Sequence, residues 1–162
     1  MAIGDGPKVG FNWRSLNSSW EKRALNLKLD DLRPLLALDG IVPVNLQVGA
    51  TQREIEDLHV FDNLDLHNDL DETVALIAAL DAVVSSRCWV ATFAGAAGTP
   101  AYCPTRHPNP FMFGGPVFPS FPSVKMYYDD TGESWCKPVN AIARVLESSN
   151  STEKNLADEH NN

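Results

Sequence analysis

The sequence predicts one α/β domain in three layers, with helices on both faces of a mostly parallel sheet of about six strands. Three observations carry this. The 162 residues are 44% hydrophobic, enough to bury a core unaided. Short β-branched runs alternate with stretches whose apolar residues recur at helical spacing, the signature of strands joined by crossovers. The centre of the chain, Asp81 to Pro100, then reads strand, tight turn, helix and approach to a further strand. Ala82 to Ser85 has the composition of a buried parallel strand, and Ser85-Ser86 supplies turn and N-cap chemistry. Val90 to Ala97 is small and apolar, able to lie close on a sheet, and Gly98 and Pro100 close the segment.

The remaining elements follow in order. Lys8 to Trp13 is a first strand, followed by a polar loop from Arg14 to Arg23. Leu27 to Leu38 carries a helical stripe with Asp30 or Asp31 as cap, Pro34 in the first turn and Gly40 as stop. Ile41 to Gln47 is a second strand, Gln52 to Asp57 a short polar helix, and His59 to Phe61 a weak third strand. The acidic stretch Asn63 to Asp71 is a solvated loop, lacking the glycine and terminal glutamate of a calcium loop. Asp69 with Glu72 caps a helix from Leu70 to Leu80. After the central stretch come a strand at Ala101 to Cys103 and a proline-rich segment, Pro104 to Pro122, expected to hold neither helix nor sheet. Val124 to Tyr128 is the last strand and Pro138 to Leu146 the last helix, its Val139, Ile142, Ala143 and Leu146 inward. Residues 1–148 form the domain, and 149–162 are expected to be a polar, flexible tail. The count fits a Rossmann-like sheet in the order 3-2-1-4-5-6, with its switch point between the first and fourth strands.

Charge and cysteines narrow the function. A net charge of -8 argues against nucleic acid as partner, whose binding rests on Lys and Arg. No apolar run is long enough to span a membrane, and the first residues lack the pattern of a signal peptide. Cys88, Cys103 and Cys136 form neither a disulfide framework nor a zinc pattern, and the four histidines are scattered. A cytoplasmic location and no metal are expected.

Several stretches, in this order and spacing, resemble the C-terminal, nucleotide-sugar-binding half of GT-B glycosyltransferases. They are Val9-Gly-Phe-Asn-Trp13, Leu46-Gln47, the run from Asp69 to Asp81, Ala94-Gly-Ala-Ala-Gly-Thr-Pro100, and Trp135 with Val139, Ile142 and Val145. The nearest group is the bacterial tetratricopeptide-linked glycosyltransferases, with heptosyltransferases and O-GlcNAc transferases more distant. The chain departs from the family's polar signature. Ser15 and Leu16 stand where the family has glycine and asparagine, and Leu25 replaces a basic residue while Arg23 is retained. Arg87, Cys88 and Thr92 occupy the family's Asp, Thr and His positions.

The resemblance implies a metal-independent donor site for a nucleoside-diphosphate sugar, with Ser15, Arg23, Gln47, Ser86, Arg87, Cys88, Trp89 and Thr92 as candidate contacts. Arg87, opening the central helix, is expected to meet either a diphosphate or the acidic loop Asp65 to Asp71. Gln47 is placed to contact base or phosphate, or to cap the next turn. Ser85 and Ser86 would donate to a phosphate or cap the helix. Arg14, Thr73 and His107 are weaker candidates, and Trp13 and Trp89 could stack on a base or simply pack. No nucleophile partner accompanies Cys88. Only one of the two GT-B domains is present, so the acceptor surface would come from a second Rossmann-like domain or a homodimer, and the isolated domain is expected to be inactive. The alternative is a degenerate, non-catalytic domain serving as a binding or protein-interaction module.

Overall fold

The computed structural model describes residues 4–16, 26–106 and 117–160. Six strands form one sheet: β1 (Lys8–Asn12), β2 (Val42–Asn45), β3 (Ala82–Ser85), β4 (Ala101–Thr105), β5 (Val117–Phe118) and β6 (Phe121–Tyr128). Their order is β2-β1-β3-β4-β6-β5, all parallel except the last pair. The expected third strand survives as a single parallel bridge, His59 to Val44, on the outer side of β2 where that order places it. The sequence runs from β1 outward to β2 and then returns to β3 on the other side, so the order reverses between β1 and β3.

Side chains alternate across the pleat into two cores. Val9, Phe11, Trp13, Val84 and Tyr102 face one layer, made by a 3-10 turn (Leu29–Leu32), α1 (Arg33–Leu36) and α4 (Cys136–His160). Val44, Leu46, Val83, Cys103, Val124 and Met126 face the other, made by α2 (Leu70–Ala78) and α3 (Trp89–Ala97). Gly10 lies on this second face. A β-carbon there would come within 2.5 Å of Leu46 and 2.7 Å of Leu80, so the central strand is kept bare to let both leucines close over it. Asp69 caps α2 as expected, accepting from the Glu72 N–H at 3.1 Å. Gly98 ends α3 at φ 80°.

Four expectations are corrected. Residues 52–57 form successive turns rather than a helix: the Leu58 N–H closes a turn onto the Ile55 carbonyl at 3.0 Å, and the chain leaves at once to pair the His59 N–H with the Pro43 carbonyl at 2.7 Å. The proline-rich stretch does contain strand: β4 runs through Pro104, and β6 begins at Phe121-Pro122. Pairing of β3 with β4 stops at Tyr102, so the N–H that Pro104 lacks has no neighbour to bond. The stripe at 27–38 is shortened to the 3-10 turn and α1. The last helix continues to His160, past its expected end at Leu146, with no glycine or proline to stop it there. Ser148 and Ser149 bond their hydroxyls to Arg144 and Val145 carbonyls, and Asn150 Nδ2 reaches the Asp39 carbonyl at 3.0 Å. Among the described residues no helix is long and apolar enough to cross a membrane.

Candidate functional site

In an open α/β sheet, ligands settle outside the carboxyl ends of the strands where the order reverses. Here β1 and β3 end side by side, Asn12 in register with Ser85. Asn12 is 2% exposed and organises the junction. Its Oδ1 accepts from Ser86 Oγ at 2.9 Å and Cys88 Sγ at 3.1 Å, and lies 3.3 Å from Ser85 Oγ. The single Ser85 hydroxyl proton goes to the Ser86 carbonyl at 2.7 Å, the shorter of its two contacts. The Asn12 Nδ2 donates to Gln47 Oε1 at 3.2 Å, and the same oxygen accepts from the Trp13 and Arg14 N–H groups. Backbone N–H groups can only donate, so they fix which end of the Gln47 amide faces them. That in turn fixes Asn12, whose oxygen must face β3.

Arg14 extends the network outward. It forks onto Glu54 and donates to the Gly49 carbonyl at 2.9 Å, while Trp13 Nε1 reaches Glu54 at 3.3 Å. The Arg14 guanidinium, with help from Thr51, holds the Glu54 carboxyl at about 2, well below its ordinary 4.5. Beside this network, at the carboxyl end of β2, lies an open cavity of 480 Å³. Gln47, Gly49, Phe61, Asp65, His67 and Leu76 are among its walls. Asp65 is itself held ionised by Asn68 and the N–H groups of Asn68 and His67.

The other side of the junction is different. Arg87 is half-buried at the start of α3 and makes neither an ion pair nor a hydrogen bond among the described residues. It rims a small crevice with Cys88, Thr92, Phe118, Phe121 and Met126. The N-cap of α3 is Cys88, which gives no side-chain bond to the helix, so first-turn N–H groups remain available. Cys103, at the base of this side, is fully buried and its thiol is pushed up to about 12, chiefly by desolvation.

The structure places Gln47, Ser86, Arg87, Cys88 and Thr92 at the carboxyl edge, with contacts that differ from one to the next. Ser85 and Ser86 do not cap α3; the Ser86 hydroxyl turns to Asn12 and the Ser85 hydroxyl to the Ser86 carbonyl. Gln47 is 2% exposed, with its oxygen spent on β1 and its nitrogen on the Val48 carbonyl at 2.9 Å, so it positions the loop after β1. Trp13 is fully buried and packs rather than offering a stacking face. Trp89 meets Phe93 edge-on at 5.3 Å. Ser15 has its N–H held by Asn26 Oδ1 at 2.9 Å. Thr73 is wholly buried in α2, its hydroxyl without a hydrogen-bond partner among the described residues. Arg23 and His107 lie outside the described residues. Arg87 does not pair with the acidic loop 65–71. Asn12 was not among the expected site residues, although an amide closing a buried strand was the available signal. Among the described residues, no group of three His, Cys, Asp or Glu side chains is placed to hold a metal.

No family model matches the chain. Protein FlbA of Caulobacter vibrioides is 33% identical over 152 residues. That match covers 89% of this chain and 26% of FlbA, so the chain spans about a quarter of that relative. Among solved structures, the E. coli heptosyltransferase WaaC with ADP superposes at a TM-score of 0.62 and 16% identity. The match covers 88% of this chain and 44% of that one. The same enzyme with ADP-2-deoxy-2-fluoro heptose gives 0.60 at 14% identity, over 90% and 44%. The fold is the Rossmann-like fold of GT-B glycosyltransferases. The likeness extends over less than half of WaaC, and at these identities it speaks to architecture.

Proposed function

We propose that this domain binds a nucleoside-diphosphate sugar, as the donor-binding part of a glycosyltransferase whose acceptor surface lies on another domain or a second copy. The observation that carries the reading is Arg87, a guanidinium without a carboxylate partner among the described residues, seated beside the N-terminus of α3 at the switch point. A diphosphate supplies the acceptor oxygens that Arg87 and the first turn of α3 lack. The nucleoside belongs in the 480 Å³ cavity, whose Asp62 and Asp65 repel phosphate but accept hydrogen bonds from a ribose or base. WaaC has been solved with ADP, and the shared fold supports a nucleoside diphosphate as ligand class. Transfer would proceed without metal, with Arg87 and the helix N–H groups neutralising the departing diphosphate. Arg23, Trp89 and Thr92 remain candidate contacts. Without the partner surface that holds the acceptor, the domain alone is inactive in this reading, and its compartment is the cytoplasm.

A second reading rests on the Asn12 junction. A hydroxyl and a thiol that would be donors to a phosphate turn inward onto the Asn12 amide oxygen, and the Ser85 hydroxyl turns onto the Ser86 carbonyl, the arrangement of a domain that has become a non-catalytic interaction module. Calorimetric titration with UDP, GDP, ADP and CDP separates the two. The donor reading expects saturable binding of one nucleotide, lost in Arg87→Ala. Absence of binding by all four at millimolar concentration, with and without the partner domain, overturns it in favour of the module.

A further inference from the structure

The 3-10 turn and the loop after β2 enclose a second open cavity, of 440 Å³, within the range of small-ligand sites. Trp13 and Leu27, both buried, give it an apolar floor. Around it stand four cations, Arg14, Lys28, Arg33 and Arg53, in a chain where acids outnumber bases 21 to 13. Two carboxylates, Asp30 and Glu54, face the same space, and both are already engaged. Asp30 accepts from Arg33 Nε at 2.8 Å. Glu54 takes the Arg14 fork, the Thr51 N–H at 2.8 Å and the Trp13 indole at 3.3 Å. Lys28 and Arg53 are left over. Both are exposed, and neither side chain makes an ion pair or a hydrogen bond among the described residues. Four cations against two carboxylates leave a surplus of two positive charges at one concave surface. A solitary exposed lysine needs no partner, but like charges gathered at one cavity repel, and no contact within the described chain offsets that.

We propose that this cavity binds a phosphate monoester, with Lys28 and Arg53 on the phosphate and the Trp13–Leu27 floor beneath the rest of the ligand. A phosphate monoester carries about two negative charges at neutral pH, which matches the surplus, whereas a carboxylate meets only one of the two cations. Arg53 brings a planar fork and Lys28 a compact, mobile charge, so the two can close on one phosphate from different directions. Arg14 and Glu54, locked to each other, hold the wall between them. The site does not rest on the donor reading. No described residue lines both this cavity and the nucleoside cavity, and Arg87 lines neither.

The test is an NMR titration of the 15N-labelled full chain with sodium phosphate, and separately with sodium acetate, at constant ionic strength. The expected result is a saturable shift of the Lys28, Leu29, Arg53 and Glu54 amides and of the Trp13 indole signal with phosphate, at concentrations where acetate has no such effect. Lys28→Gln and Arg53→Gln should each weaken this binding about tenfold, and the double variant should lose it. Arg87→Ala should keep it. Both substituted side chains are exposed, and an unchanged spectrum away from the cavity checks that each variant is folded. Absence of a saturable shift, an equal response to acetate, shifts confined to the first turn of α3, or binding that persists in the double variant overturns the proposal. Failure here leaves nucleotide binding through Arg87 to be judged on its own titration.

Discussion

The two flanks of the β1/β3 junction are built on opposite terms. Toward β2, the side chains of Asn12, Gln47, Arg14 and Glu54 satisfy one another and the loop backbone in a continuous network. Toward β4, Arg87 stands without a partner among the described residues. Polar groups matched inside the chain hold it together, whereas unmatched cations cost stability until something external arrives. The first flank should therefore respond to mutation in stability and the second in binding.

The largest effect is expected at Asn12. Asn12→Leu strands the Ser86 hydroxyl and removes one of the donors to Gln47 Oε1 at once, and should lower unfolding stability by about 3 kcal/mol in urea titration. Gln47→Ala leaves the Trp13 and Arg14 N–H groups unpaired and should cost about 2 kcal/mol by the same measurement. A smaller, pH-dependent loss is expected at Glu54. Its carboxyl titrates lower in the folded chain than in the unfolded one, so its contribution is complete above the ordinary 4.5 and vanishes as pH falls toward about 2. Glu54→Gln should thus be about 1 kcal/mol less stable at neutral pH, with the gap to the parent closing across that window. Arg87→Ala should change stability least, within about 0.5 kcal/mol, while abolishing nucleotide binding. If instead Arg87→Ala destabilised as strongly as Gln47→Ala, the contrast between the flanks would fail.

The scaffold was more legible in the sequence than the site. Strands such as Ala82–Ser85 and the cap formed by Asp69 and Glu72 follow from local composition and spacing, so they could be placed without tertiary information. The sheet order followed too, including the position of His59 beyond β2. What escaped depends on contacts between residues distant in the chain. Nothing local distinguishes Ser85 and Ser86 as helix caps from the same serines gathered around Asn12, which lies 73 and 74 positions away. Gln47 could be placed at the right edge, but whether its amide faced a ligand or the Trp13 backbone was decided by the meeting of two strands. Lys28 and Arg53, far apart in the chain, drew no notice because only the fold brings them to one cavity.

The sheet's two margins have a consequence for how this domain can meet other molecules. At one margin β2 contains Pro43, and the His59 segment binds back onto it, with His59 N to the Pro43 carbonyl at 2.7 Å and Asn45 N to the His59 carbonyl at 2.9 Å. At the other, β5 is only two residues long, reversed in direction and shifted in register. Neither margin offers the long row of open backbone groups that templates edge-to-edge pairing. Self-association by strand addition is thereby discouraged, and recognition falls to loops and helix faces, where side-chain chemistry and not backbone geometry sets what is accepted.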